Sequence, residues 1–261
     1  MYSFESRVRF SEVDESGAMS VPALIDYLQD CSLFQAEELG RGVTHAREAR
    51  LVWLLAAWKI QILRMPRFTD PIRVSTWATA FKGLFAHRNF TVTAPAAPGT
   101  DVPGAEGTAQ GGGELLARAD SMWFLYDSRT GHPVRPTPDE VDPYAADLRD
   151  APLDMPAAQR RIPVQGEGVA CDPVVVTAAH IDTNHHVNNA QYVAMAMGAL
   201  STRAVEFDAR EVDVQYLEAA RMGDTIVPVV HPPLGEDVAG QGYVVSLESP
   251  AGQRFAVVRV L

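Results

Sequence analysis

One short segment gathers most of the residues that could do chemistry: His180-Ile181-Asp182-Thr183-Asn184-His185-His186-Val187-Asn188-Asn189-Ala190-Gln191-Tyr192. It places carboxylate, amide and imidazole groups in a turn that opens a helix, where backbone N–H groups and the positive end of the helix dipole suit an anionic oxygen. Water attack on an activated carbonyl needs a group that takes the water's proton, and Asp182 and His186 are the candidates. Asn184 is the amide that fixes the imidazole or holds the substrate. The backbone N–H groups of Val187, Asn188 and Asn189 are expected to receive the charge that builds on the carbonyl oxygen. His185, next to the candidate imidazole, is expected to point away. His180, His185 and His186 match no usual metal-ligand spacing and no cysteine joins them, so no metal is expected. Cys31 falls on an apolar helix face, and Cys171 has no basic neighbour in sequence to lower its pKa; neither reads as a nucleophile.

The elements that must position this turn follow from periodicity. Ser20 and Pro22 open a helix with a capping hydroxyl and an early proline. Apolar residues then recur at Leu24, Tyr27, Leu28, Cys31, Phe34 and Leu39, and Gly40 stops it. A second helix starts at about Asn188-Asn189 and runs through Tyr192, Val193, Met195, Met197 and Leu200. Strands are expected at 60–63, 72–77, 87–92 and 117–126, and again at 174–178, 212–217, 225–231, 242–248 and 255–261. The Trp53–Trp58 run, with Leu51, Leu54 and Leu55, reads as core or pocket wall. Ala94 to Gly113, rich in Pro, Gly, Ala and Thr, reads as a long hairpin connection. Residues 136–168 mix prolines and acids without a sheet pattern and are the expected linker, dividing a first domain at 1–135 from a second at 169–261.

An internal repeat underlies this division. Val13-Asp14 before the first helix mirrors Ile181-Asp182 before the second, 168 positions on. Gln61 to Asp70 (QILRMPRFTD) aligns with Gln215 to Asp224 (QYLEAARMGD), 154 positions on. Each half is therefore one helix and a largely antiparallel sheet, an α+β arrangement in which the helix buries its apolar stripe on the sheet.

Composition limits the partners. The 261 residues are 47% hydrophobic, enough apolar material for a core in each half. A formal charge of −11 argues against general nucleic-acid binding, which needs basic surface. Two cysteines provide no disulfide framework and fit a reducing compartment. No targeting segment or membrane span is read, and a cytoplasmic location is expected. Arg64, Arg67, Arg73, Lys82 and Arg88 read as scattered surface cations.

The pattern Asp-x-Asn-x-His-Val-Asn-Asn-x-x-Tyr, present as Asp182 to Tyr192, resembles the motif of plant FatA/FatB-type and bacterial acyl-acyl carrier protein (ACP) thioesterases. Looser similarities lie at Ser121-Met122-Trp123 with Asp127 and Thr130, at Pro136 to Glu140, at Pro71 to Trp77 and from Val214 onward, so the resemblance covers nearly the whole chain. It implies a double hotdog with one site in the C-terminal half, and a thioester hydrolase that needs no cofactor and takes acyl-ACP as substrate and partner. Asp182, Asn184 and His186 match the family's acid, amide and imidazole positions. In the first half Asp14 is kept while Ser16 and Ala18 replace the other two, so that half is expected to supply acyl pocket without chemistry. The family's later-strand Glu falls at Ala219. Glu218 is adjacent, but strand neighbours face opposite ways and a β-bulge would be needed to bring it back. An acyl-CoA thioesterase and a non-catalytic acyl-binding protein are the alternatives. Acyl chain length and homodimer formation are left open.

Overall fold

The computed structural model describes residues 1–95, 113–203, 209–231, 233 and 242–261, in two compact units. The first comprises Met1–Leu55 and Ile60–Ala158, the second Ala56–Lys59 and Gln159–Leu261. The long connection expected at Ala94 to Gly113 falls almost wholly outside the described residues.

In the first unit, β1 (Tyr2–Arg7) is followed by α1 (Val21–Glu38), the short α2 (Val43–Ala49), and strands β2 (Leu51–Ile62), β3 (Pro71–Lys82), β4 (Phe85–Ala94), β5 (Glu114–Asp127) and β6 (His132–Val134). The sheet order is β1-β3-β4-β5-β2, with β6 on β5, and the pairings given by residue register are antiparallel. Ser20 caps α1 by accepting from Ala23 N at 3.3 Å, as its position before Pro22 leads one to expect. Leu24, Tyr27, Leu28 and Cys31 are buried, while Phe34 is 44% exposed and packs edge-on to Phe4 at 5.3 Å. The helix lies on β1 and β3, over a floor that includes Ile72 and Val74.

The second unit repeats the plan. The two-residue strands β7 (Val169–Ala170) and β8 (Val174–Val175) lead to α4 (Asn189–Thr202) and then β9 (Glu211–Tyr216), β10 (Thr225–His231), β11 (Tyr243–Glu248) and β12 (Arg254–Val260); the single helical turn α3 (Pro138–Val141) belongs to the first unit. Its antiparallel sheet runs β9-β12-β11-β10, and both β7 and β8 pair with β10. The strand expected over 174–178 is shorter because a 3-10 turn, Ala178–His180, takes over. Tyr192, Val193, Ala196 and Leu200 are buried on the helix, with Val214, Val245, Leu247 and Val258 buried in the sheet. At roughly 25 cal/mol per Å² of apolar area, this burial is what holds each helix to its sheet.

Residues 136–168, expected as a linker, divide between the units. Buried polar side chains hold the part up to Ala158 to the first sheet: Asn89 Oδ1 on the sheet accepts from Leu153 N (2.8 Å) and Asp120 Oδ1 from Ala158 N (2.7 Å), while Asp147 Oδ2 in the segment accepts from Ala78 N on the sheet (3.0 Å). From Gln159 on, the chain belongs to the second unit, where Ile162 N donates to Gln215 Oε1 at 3.0 Å. Arg88, expected at the surface, is only 8% exposed. Its guanidinium donates to Gln35 Oε1 (2.5 Å) and Thr76 Oγ1 (3.0 Å) and lies over the Tyr144 ring, while Gln35 in turn donates to Asp147 (2.9 Å). A strand alternation cannot tell an outward cation from one that is buried with partners for its hydrogen-bond donors.

One carboxylate on α1 is badly placed for charge. Burial, then the neighbouring charges of Asp30 and Glu12, push the Asp26 carboxyl up to about 6. A folded-state pKa above the unfolded one contributes stability at low pH that is lost as pH rises through the folded value. Asp26→Asn is therefore expected to raise the urea midpoint at pH 7 and leave it nearly unchanged at pH 4.

Candidate functional site

The turn before α4 is built by its own first carboxylate. Asp182 Oδ1 accepts from Asn184 N at 2.8 Å and His186 N at 3.5 Å, and Asp182 N donates to His186 O at 2.9 Å. An Asp at this point closes the loop with side-chain hydrogen bonds that mimic backbone ones. Ile181 and Val187 form a bridge across its base. His185 sits at the tip with φ 60°, a left-handed conformation that His tolerates better than most residues. Asn188 then caps α4, its Oδ1 accepting from Ala190 N at 2.8 Å.

The same aspartate-closed framework stands before α1, where the loop is also tied to the turn by Phe68 N donating to Gly17 O at 3.0 Å and by an Ala18–Arg67 bridge. Asp14 Oδ1 accepts from Ser16 N at 2.8 Å and Ala18 N at 3.3 Å, Asp14 N donates to Ala18 O at 2.8 Å, and Gly17 holds φ 78° at the tip. Met19 N donates to Pro66 O as Val187 N donates to Ala220 O (2.8 and 2.9 Å). Arg67 N donates to Asp70 Oδ2 as Arg221 N does to Asp224 Oδ2 (2.9 and 2.7 Å). Both offsets read in the sequence are therefore backbone equivalences. What differs is the side chains mounted on them and the direct bond from Phe68 N to the tip of the turn, which has no counterpart at Met222 among the described residues.

On this framework Asp182 and His186 are brought together at the ends of one hydrogen-bonded turn. The His186 ring is half-buried, and that burial, assisted by the positive charge of Arg221, holds its pKa below the usual imidazole range. The Asp182 carboxylate pulls the other way, and His185 adds a small lowering. The balance leaves a neutral imidazole able to accept a proton near neutral pH. Asn184 gives its backbone N–H to Asp182 and is exposed. His180 is a cap: its Nδ1 accepts from Thr177 N at 3.0 Å, the task that Glu12 performs for Arg9 N in the first copy.

For two of the three expected backbone donors the structure gives other partners. The N–H groups of Val187 and Asn188 do not face an incoming oxygen, because they donate to Ala220 O and His180 O, both at 2.9 Å. They tie the turn to the β9–β10 loop and to the preceding 3-10 turn. At Glu218, Leu217 N and Glu218 N both donate to Phe255 O (2.8 and 3.2 Å), a bulge-like irregularity, and the Glu218 carboxylate accepts from Gln253 Nε2. Asn189 is the first residue of α4, and its carbonyl accepts from Tyr216 Oη at 3.1 Å.

Sequence reasoning gave no role to two residues that complete the site. The hydroxyl of Tyr192, buried at 2% exposure, accepts from Ala220 N at 2.8 Å and fixes the loop against the helix. Arg221, next along that loop, acts electrostatically on His186. Its alignment with Arg67 was the available signal. A cavity of about 280 Å³ lined by Arg160, Arg161, Gln215, Leu217 and Arg254 also lies in this unit. It sits on the Gln215 side of β9, away from Tyr216 and the start of α4.

A long helix on an antiparallel sheet, present twice, with a polar turn at each helix start, defines a double-hotdog protein. The solved acyl-ACP thioesterase from Bacteroides thetaiotaomicron has this fold, with a TM-score of 0.79 and 21% identity over 99% of this chain and 96% of that one. The 12:0-ACP thioesterase from Umbellularia californica is similar at a TM-score of 0.76 and 17% identity, covering 99% and 95%. The family models for the acyl-ACP thioesterase N-terminal domain and C-terminal domain match residues 1–102 and 170–260, and the chain belongs to the acyl-ACP thioesterase family. Among curated relatives, the chloroplastic oleoyl-acyl carrier protein thioesterase of Coriandrum sativum is 21% identical over 249 residues, 89% of this chain and 63% of that protein. The chain thus spans less than two thirds of the length of such relatives.

The electrostatics of the turn can be measured directly. In an NMR titration the His186 ring is expected to protonate below the usual imidazole midpoint, and Asp182→Asn should lower that midpoint further, because the carboxylate is what raises it. An upward move in the variant would show that the two groups are not coupled as described.

Proposed function

We propose that the protein hydrolyses fatty-acyl thioesters carried by acyl carrier protein, with Asp182 and His186 as the groups that activate water. The observation that carries this reading is the contrast between two turns closed by the same aspartate bonds. The second mounts a carboxylate and a neutral imidazole, while the first, with Asp14, Ser16 and Ala18, mounts only the carboxylate. A purely structural turn needs the aspartate alone, as the first copy demonstrates. The imidazole at position 186 adds nothing to the turn's hydrogen bonding that alanine at 18 does not already provide through its backbone.

In this reading water attacks the carbonyl carbon, its proton passes to His186, and the carbonyl electron pair moves onto oxygen. When that pair returns, the C–S bond breaks and the departing thiolate takes the proton from the imidazolium, leaving free acid and carrier thiol. Asp182 has Oδ1 committed to the turn, so Oδ2 is the atom that orients the water and steadies the imidazolium. Asn184, exposed beside them, holds the substrate rather than the ring. Water is the nucleophile, so the scheme requires no cofactor. The family's membership and its relatives' names support acyl-ACP as the substrate. Among the described residues, no helix is long and apolar enough to cross a membrane.

Thiol release from acyl-ACP and from acyl-CoA of the same chain length tests the reading and its donor. Asp182→Ala and His186→Ala are each expected to lower turnover by about 100-fold or more. Glu218→Gln should stay within about two-fold, as its carboxylate is engaged with Gln253. Near-normal activity of both the Asp182 and His186 variants would remove these residues from the mechanism, and faster turnover of acyl-CoA would reassign the donor.

A further inference from the structure

The hydrolytic scheme calls for a donor to the negative charge on the acyl oxygen. The N–H groups of Val187 and Asn188 are spent on Ala220 O and His180 O, and position 219 is alanine. The β9–β10 loop does carry one suitable group. Ala220 is bonded on both sides, its N–H to Tyr192 Oη and its carbonyl to Val187 N, so Arg221 leaves the backbone beside the residue that follows His186. Its own N–H donates to Asp224 Oδ2, and Asp224 N donates back to its carbonyl at 3.0 Å, which fixes the direction of the chain there.

The repeat shows what an arginine at this point does when there is no chemistry. The equivalent Arg67 turns its guanidinium onto the turn and donates to Ser16 O, passing 3.4 Å from where a side chain on Gly17 would begin. In the second copy that tip residue is His185, in the same left-handed conformation, and among the described residues the Phe68–Gly17 bond and the Ala18–Arg67 bridge that hold the first arginine against its turn have no counterpart. Arg221 is exposed and makes no ion pair among the described residues, and the imidazole at 186 feels its charge. One copy uses its arginine as a staple; the other leaves the cation beside the reacting groups.

We propose that Arg221 is a catalytic residue that donates hydrogen bonds to the acyl oxygen as negative charge builds on it, in place of the backbone donors spent on the turn. This rests on the hydrolase reading and names a further group at the same site. The guanidinium keeps its protons throughout; only the water proton moves, by way of His186 to the leaving sulfur. A cation that meets the oxygen mainly in the transition state lowers kcat when removed, with little effect on KM.

The test compares Arg221→Gln and Arg221→Lys on two substrates, acyl-ACP and the matching acyl-N-acetylcysteamine thioester, which has the thioester but neither phosphate nor protein. Arg221→Gln is expected to lose on the order of 100-fold in kcat on both, with KM nearly unchanged. Arg221→Lys should recover part of that loss, since it keeps the charge without the planar fork. Loss of Arg221 should also raise the His186 titration midpoint without moving the melting temperature. Undiminished kcat in Arg221→Gln, or a loss confined to KM on the carrier-borne substrate, overturns the role; the second result would make Arg221 a docking contact. A wild-type protein silent on both thioesters overturns the hydrolase reading and this role with it. That is distinct from an active wild type with an unimpaired variant, which overturns Arg221 alone.

Discussion

A carboxylate oxygen accepting two backbone N–H groups holds this site in place. Asp182 Oδ1 fastens Asn184 N and His186 N, and the closed turn in turn fastens the start of α4 and, through Val187 N, the loop after β9. Each bond is individually modest, about 1 kcal/mol net. Their combined effect is geometric, since together they leave the His186 backbone, the Asp182 carboxylate and the Arg221 backbone little freedom to separate. A reacting group displaced by an ångström costs far more in rate than such a bond costs in stability.

The electrostatics follow from that placement. Half-burial alone favours the neutral imidazole, and a nearby cation adds to it, while the carboxylate that builds the turn works in the opposite direction. A base for water near neutral pH needs this compromise: neutral enough to accept a proton, close enough to a carboxylate to stabilise the ion once formed. The buried Arg88 network of the first unit is the contrasting case. There the donors are satisfied by Gln35 and Thr76 and the charge is steadied by the Tyr144 ring and Asp147, and the result is a strap that binds residues 138–158 to the sheet.

Two copies of one framework separate what the turn needs from what the chemistry needs. Both keep the aspartate, the capped helix, the Arg-x-x-Asp loop and the bond between them, because these satisfy backbone groups that would otherwise be left open at a helix start. Only the second carries an imidazole at the end of the turn and a side chain at its tip. His185, expected to point away, is exposed and holds the left-handed tip where the first copy has glycine.

Much of this was legible in the residues themselves. Helix spacing, caps, strand alternation and two repeat offsets specify local geometry, and local geometry depends on neighbours in the chain. The Asp182–His186 turn is a five-residue object of that kind, so its motif sufficed to find it. The fates of Val187 N, Asn188 N and Glu218 could not be read in the same way, because each is decided by a partner elsewhere: Ala220 from the next loop, His180 from the preceding turn, and Gln253 from the hairpin before β12. Arg88 and Arg221 make the same point for charge. An arginine's position in sequence determines which strand or loop carries it; whether it is buried in a network or left beside an imidazole depends on what the folded chain brings within a few ångströms, and only tertiary structure decides that.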